Sequence, residues 1–181
     1  MTRKMLVTAA TAWSALLLAG CASPPATTAI AVPDSLKVAD TQALSLEAKA
    51  TGVQIYQCAA AKDDASRFEW RFVAPEADLF DNDGQKIGKH YAGPTWESTD
   101  GSKVVGALQA HSDAPVAGAI PWLLLTAKST DGIGVFGLTK SIQRLQTAGG
   151  NAPADGCDQA QLGKEARVPY TAIYRFYSAK S

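Results

Sequence analysis

Apolar and polar residues alternate along several stretches of this chain, and this period of two constrains the fold more than any other feature. Side chains of a β-strand point alternately to opposite faces of a sheet, whereas a helix repeats every 3.6 residues. The alternation is found at residues 44–48, 68–72 and 168–176, and segments 53–58 and 103–108 resemble further strands. Phe68, Trp70 and Phe72 alternate with charged residues, which predicts one buried and one charged face.

Turn-forming sequences separate these stretches. They are Asp81-Asn82-Asp83-Gly84, Asp100-Gly101-Ser102 and Asp131-Gly132. The run from Trp122 to Leu125, within residues 120–127, is continuously apolar and predicts a central strand that is buried on both faces. We therefore predict a mainly β fold, an antiparallel sandwich or barrel, with one short helix at residues 138–146.

Residues 1–20 have the layout of a bacterial secretory signal. Thr2-Arg3-Lys4 is cationic, and residues 5–18 are almost entirely apolar, although a membrane-spanning helix needs about 20 such residues. The segment Leu18-Ala19-Gly20-Cys21 resembles the lipobox of bacterial lipoproteins. In that family the cysteine is lipidated and becomes the mature N-terminus. The alternative is an ordinary cleaved signal followed by an incidental cysteine.

After cleavage before Cys21, the mature chain would consist of two parts. Residues 21–33 are rich in Pro, Ala and Thr, a composition typical of a flexible tether, and residues 34–181 suffice for a single domain. Ala22 and Ser23 follow the cysteine without an Asp, which favours transport to the outer membrane, with the domain on its periplasmic face or at the cell surface. The membrane is therefore a predicted partner through the lipid anchor.

Charge and motif content argue against several classes of function. Removing Arg3 and Lys4 with the signal leaves 15 of the 17 basic side chains against 17 acidic ones, which gives no electrostatic reason to bind nucleic acid. His90 and His111 lie in different segments, and neither HExxH nor GxSxG occurs. We therefore expect no metal site and no cofactor.

Two cysteines remain besides Cys21. An even pair in an oxidising compartment favours a disulfide between Cys58 and Cys157. Two separate buried thiols are the alternative, and a metal site built on two lone cysteines has less support.

The glycine-rich run from Gly132 to Gly137 matches the pattern GxGxxG, and Asp155 follows about 20 residues later, as in dinucleotide-binding loops. Such a loop would have to lie within a βαβ unit, which the strand pattern does not offer. We interpret the glycines as a tight β-turn and a bulged strand.

One segment combines side chains that ligand pockets use. His90, Trp96 and Asp100 lie close in sequence around Gly93-Pro94, and we name these three, with Arg144, as possible ligand-binding residues. The alternative interpretation places Trp96 in the core, with His90 bonded to backbone at a strand end and Asp100 starting a turn.

The chain contains several characteristic runs. These are residues 52–58 (GVQIYQC), 75–79 (PEADL), 88–97 (GKHYAGPTWE), 120–124 (IPWLL), 142–150 (IQRLQTAGG), 156–158 (GCD) and 168–170 (VPY). In combination they resemble the domain of unknown function numbered 3455, over roughly residues 31–178. That family occurs on exported bacterial and fungal proteins, so the resemblance implies export and a single domain but supplies no catalytic residues. Because Cys58 and Cys157 fall in matching motifs, the resemblance also supports the disulfide.

The sequence thus favours a non-enzymatic, lipid-anchored envelope domain that binds a small molecule or an envelope protein. The alternative is an enzyme of unrecognised type centred on the His90–Trp96–Asp100 segment, and a purely structural role is a third reading. An enzyme predicts His90 beside a carboxylate, or beside Arg144, in a solvent-open pocket. A binding domain predicts a pocket lined by aromatic side chains without an acid–base pair.

Overall fold

The structure, a computed structural model, describes residues 29–181, which contain a closed barrel of eight antiparallel strands. The strands are β1 (Gln42–Ala60), β2 (Phe68–Phe80), β3 (Lys86–Tyr91), β4 (Thr95–Ser98), β5 (Lys103–Ser112), β6 (Trp122–Asp131), β7 (Thr139–Gly149) and β8 (Glu165–Ala179). Two 3-10 turns occupy Asp34–Leu36 and Gln159–Gln161. No helix in this part of the chain is long and apolar enough to cross a membrane. The predicted signal, Cys21 and most of the predicted tether lie outside the described residues.

Each strand pairs with the next one along the chain, and β8 closes the barrel by pairing with β1. The predicted mainly β, antiparallel architecture is therefore confirmed, and it takes the barrel form. The three predicted turns connect β2 to β3, β4 to β5 and β6 to β7.

The prediction of a helix at residues 138–146 is wrong, because this segment forms most of strand β7. Leu138, Ile142 and Leu145 follow a helical spacing in sequence. In the barrel Ile142 joins the main core, whereas Leu145 joins a second cluster on the outer face. Both faces of β7 are buried, so the spacing of its apolar residues does not distinguish a strand from a helix.

The up-and-down topology gives the barrel two different ends. The connections β1–β2, β3–β4, β5–β6 and β7–β8 meet at one end, which we call the open end. The connections β2–β3, β4–β5 and β6–β7 meet at the other, which we call the closed end.

The glycine-rich loop between β6 and β7 fills the closed end. Phe136 in this loop is fully buried, and its ring lies 4.6 Å from the ring of Phe176. The loop is held to the β4–β5 turn, where Asp100 accepts a hydrogen bond from the Val135 amide at 3.0 Å. Gly132 has a φ of 77°, which favours glycine. The run forms turns rather than the start of a helix, which agrees with the β-turn interpretation, but it lies between two strands, so the expectation of a bulged strand within it is wrong.

A segment before β1, residues 30–38, lies against the outside of the barrel, and we call it the strap. Leu36 of the strap is fully buried in a cluster with Trp122, Leu124 and Leu145. The Gln143 side chain donates a hydrogen bond to the Leu36 carbonyl at 2.6 Å. This cover explains why the first half of β6 is buried on both faces, as predicted. Ile30 and Val32 also pack against the cluster, so the packed region begins before residue 34.

The predicted disulfide is confirmed. Cys58 on β1 and Cys157 in the β7–β8 connection are joined, with their Cα atoms 5.3 Å apart. The bond links two elements of the open end that lie 99 residues apart in sequence.

The prediction that Phe68, Trp70 and Phe72 form a buried face is wrong for Phe72, which is 52% exposed. Phe68 and Trp70 are only partly buried. These residues lie in the outer part of β2, where only β1 is paired with it, because pairing with β3 starts at Ala77. Strands β1 and β2 therefore extend past their neighbouring strands at the open end.

Candidate functional site

A cavity of about 370 Å³ lies inside the barrel towards its open end. Its lining comes from all eight strands and is mostly apolar or aromatic: Gln54, Phe72, Val73, Pro75, His90, Gly93, Pro94, Trp96, Leu108, Leu123, Leu125, Arg144 and Tyr174. Eight-stranded barrels are wide enough either to be filled by side chains or to hold one small ligand. Here the closed half is filled and the open half is not.

Exposed apolar side chains surround the mouth of the cavity. Phe72 and Val73 on β2 are each 52% exposed, and Leu108 on β5 is 61% exposed. All three also line the cavity. Large apolar side chains gathered around one opening mark a binding surface more often than scattered ones do.

His90 and Trp96 form the inner wall of the cavity. They are paired across strands β3 and β4, and their rings stack with centroids 4.3 Å apart. The Tyr174 ring meets the edge of this stack, at 5.3 Å from the Trp96 ring. Gly106 on β5 leaves room for the indole, because a Cβ there would lie 3.0 Å from Trp96. Both stacked residues are thus core residues with one side towards the cavity.

The His90 ring is neutral. Burial lowers its pKa to about 3; the hydrogen bond to the Thr95 carbonyl acts in the opposite direction, and the Arg144 charge lowers it further. Nδ1 donates to that carbonyl at 2.8 Å, so the neutral ring carries its proton on Nδ1 and leaves Nε2 as an acceptor.

Arg144 on β7 brings a positive charge to the cavity. Its Nε and one Nη donate to the Pro121 carbonyl at 3.1 and 2.8 Å, which fixes the guanidinium beside the β5–β6 connection. Burial raises the pKa of Tyr174, and the Arg144 charge opposes that rise. Within residues 29–181, Arg144 forms no ion pair, and no Asp or Glu lines the cavity.

Two lining residues carry a buried N–H group without an acceptor. The side-chain amide nitrogen of Gln54 and the indole nitrogen of Trp96 have no hydrogen-bond partner in the described part of the chain. Gln54 is 2% exposed. Buried donors are normally satisfied, so a polar ligand atom that reached these two groups would complete their hydrogen bonding.

The structure brings together three of the four proposed ligand-binding residues. His90, Trp96 and Arg144 line the cavity, whereas Asp100 does not. Asp100 lies in the β4–β5 turn at the closed end, where its carboxylate accepts from the Ser102 amide at 2.8 Å and the Ser102 hydroxyl at 2.6 Å. These bonds, with the Val135 amide, lower the pKa of Asp100 to about 2. Asp100 therefore has a structural role in its turn.

Sequence reasoning did not single out Gln54, Phe72 or Leu108. A signal for Gln54 was present, because it shares the alternation of Tyr56 and Cys58 and so is a polar residue on an inward face. No comparable signal marked Phe72 and Leu108, whose place at the mouth depends on how far each strand extends.

A match to a protein-family model identifies the family of this chain. A model of the family described as "Protein of unknown function (DUF3455)" matches residues 39–178, nearly all of the barrel. The chain belongs to this family. The expectation drawn from the motifs is thereby confirmed, with a match that starts just before β1 and ends within β8. No curated protein and no solved structure matches the chain.

The side chains that line the cavity determine which chemistry it can support. It offers an apolar interior, one cation, two unpartnered N–H donors, the imidazole nitrogen of His90 and the side-chain oxygens of Gln54 and Tyr174. No cluster of three or more potential metal-ligating His, Cys, Asp or Glu side chains occurs among the described residues. The groups present suit non-covalent binding of a small amphiphilic molecule.

Proposed function

We propose that this DUF3455 domain is a lipid-anchored, non-enzymatic binding domain of the cell envelope, which takes a small apolar or amphiphilic molecule into the open end of its barrel. The observation that carries the proposal is the cavity of about 370 Å³, whose volume lies in the usual range for ligand sites. The exposed apolar mouth supports it, because an apolar ligand would cover side chains that otherwise contact water.

The stiffness of the cavity wall also supports binding. The wall consists largely of strands paired on both sides, although the outer part of β2 is paired only with β1, and Gly93-Pro94 forms the short β3–β4 connection at the mouth. A rigid site loses less conformational entropy when a ligand binds.

The enzyme alternative has one supporting observation, since His90 and Arg144 share a solvent-open cavity. The chemistry of His90 argues against it. An imidazole whose pKa is lowered to about 3 holds no second proton to donate at neutral pH and is a weak base. No carboxylate among the described lining residues is present to assist it. We therefore prefer binding.

The proposal is tested with an uncharged fluorescent probe, N-phenyl-1-naphthylamine. We expect saturable fluorescence enhancement with one site per chain. Leu108→Glu places a charge at the mouth and removes apolar contact, so it should weaken probe binding roughly tenfold. Leu138→Glu is the matched control, because Leu138 is 75% exposed at the closed end. Equal binding by both variants, or no saturable binding at all, would refute the cavity as a ligand site.

The lipid anchor rests on the segment ending in Cys21, and it has its own test. Cells that express the chain should incorporate a fatty-acid analogue into it. The Cys21→Ser variant should lose that label completely, because the thiol is the acceptor of the diacylglyceryl group. The double variant Cys58→Ala/Cys157→Ala is the control, since it removes the other two cysteines and should remain labelled. Labelling that persists in Cys21→Ser would contradict lipidation at this residue.

A further inference from the structure

We propose that the ligand of the barrel cavity carries an anionic head, a carboxylate or a phosphate monoester, which Arg144 binds while an apolar tail occupies the rest of the cavity. This inference rests on the proposed binding function and specifies the chemical class of the ligand. It is carried by the charge and hydrogen-bonding groups of the cavity lining rather than by its volume.

The first argument is an uncompensated charge. Arg144 lines the cavity, and none of the ion pairs among residues 29–181 includes it. Several other charged side chains of the barrel wall form ion pairs on the outer face, as Arg175 does with Glu47 at 2.7 Å. A partly buried cation without a carboxylate is an unfavourable arrangement, and an anionic ligand would relieve it.

The second argument is the orientation of the guanidinium. The Pro121 carbonyl accepts from Nε and one Nη, so the side chain is held in place before any ligand arrives. An arginine has five N–H donors; two of them are used by this carbonyl, the Tyr174 hydroxyl lies beside the group, and the other donors can meet oxygen atoms in its plane. Arginine binds carboxylate and phosphate oxygens in this way, often through two parallel hydrogen bonds.

The third argument is the excess of donors over acceptors. Gln54 and Trp96 each hold a buried N–H without a partner. With Arg144, three lining residues can donate several N–H groups to a ligand, whereas the acceptors of the lining are His90 Nε2 and the side-chain oxygens of Gln54 and Tyr174. An acceptor-rich head fits this set better than a hydroxyl or an amine.

The apolar lining determines the rest of the ligand. Leu123 and Leu125 line the β6 side of the cavity, and Phe72, Val73 and Leu108 line its mouth. A cavity of about 370 Å³ is at the small end of ligand pockets, so a tail of medium length is expected.

Decanoate, decyl phosphate and decanol, used below their micelle concentrations, test the inference by displacing N-phenyl-1-naphthylamine from the full exported chain. The three probes share a tail and differ in the head. We expect the two anions to bind about tenfold or more tightly than decanol, the range for hydrogen bonds to a charged group. Acetate, which has the head without the tail, should not displace the probe.

Arg144→Gln should reduce the preference for the anions to within about twofold while leaving decanol binding unchanged. Arg144→Lys, which keeps the charge, should retain part of the preference and covers the case in which the glutamine variant folds poorly. Arg175→Gln is the matched control, because it removes one positive charge from the outer face and should change none of the affinities.

Decanol binding as tightly as the anions to the unaltered chain would overturn the inference and leave the proposed function standing. Displacement by acetate as effective as by decanoate would also overturn it, because the tail would then contribute nothing. Failure of the naphthylamine itself to bind would instead count against the proposed function.

Discussion

Replacing Trp96 by Ala is expected to lower the free energy of unfolding by about 3–5 kcal/mol. Trp96 is 1% exposed, stacks on His90, and contacts the rings of Tyr174 and Phe176 edge-on. The variant would lose this burial and would extend the existing cavity into the core. Urea denaturation followed by far-ultraviolet circular dichroism measures the loss.

Trp70→Ala is the matched control for this experiment. Trp70 is only partly buried on the outer part of β2, and its indole nitrogen donates to the Asp155 carbonyl at 2.9 Å. We expect its replacement to cost about 1–2 kcal/mol, the value of one hydrogen bond and partial burial. A loss of less than about 1 kcal/mol for Trp96→Ala would show that the indole is not part of the core.

Removal of the disulfide is expected to have an effect of similar size. The bond closes a loop with a sequence separation of 99, for which the chain-entropy model allows up to about 4.7 kcal/mol. The double variant Cys58→Ala/Cys157→Ala should therefore unfold at a much lower urea concentration than the unaltered chain. Alanine is preferred to serine because Cys58 is buried, where a hydroxyl group would need a partner.

Reductant provides the internal control for this second experiment. It should destabilise the unaltered chain by the same amount and leave the double variant unchanged. Peptide mapping without reductant should first find Cys58 and Cys157 joined. A double variant as stable as the unaltered chain would contradict a stabilising role for the bond.

Much of the barrel could be predicted from the sequence, because a strand with one buried face and one solvent-exposed face alternates apolar and polar residues. The row from Val168 to Phe176 is such a case, since Tyr170, Tyr174 and Phe176 are all buried in β8. Strand β7 could not be predicted in this way. Its outer face is covered by Leu36. Because Leu36 lies in a distant part of the chain, the sequence of β7 alone does not show that this face is buried.

The candidate site was predictable only where sequence neighbours are also spatial neighbours. His90 and Trp96 meet because a tight hairpin pairs them across β3 and β4. Asp100 is separated from them because an extended strand advances about 3.3 Å per residue, so β4 carries the chain towards the opposite end of the barrel. Arg144 and Gln54 reach the cavity from β7 and β1, and only the order of strands around the barrel brings them together.

The strap also determines how the domain responds to mechanical force. Leu36 packs across β6 and β7, and these two strands pair only from Leu123 to Thr126. A force pulling on the chain at Ile30 is therefore borne first by the apolar contacts of the strap and by its hydrogen bond to Gln143. Tension along the chain reaches these contacts before it reaches a strand pair, because β1 begins only beyond the strap and is paired with both of its neighbours. We therefore expect the strap to detach under tension before the barrel and the cavity inside it change shape.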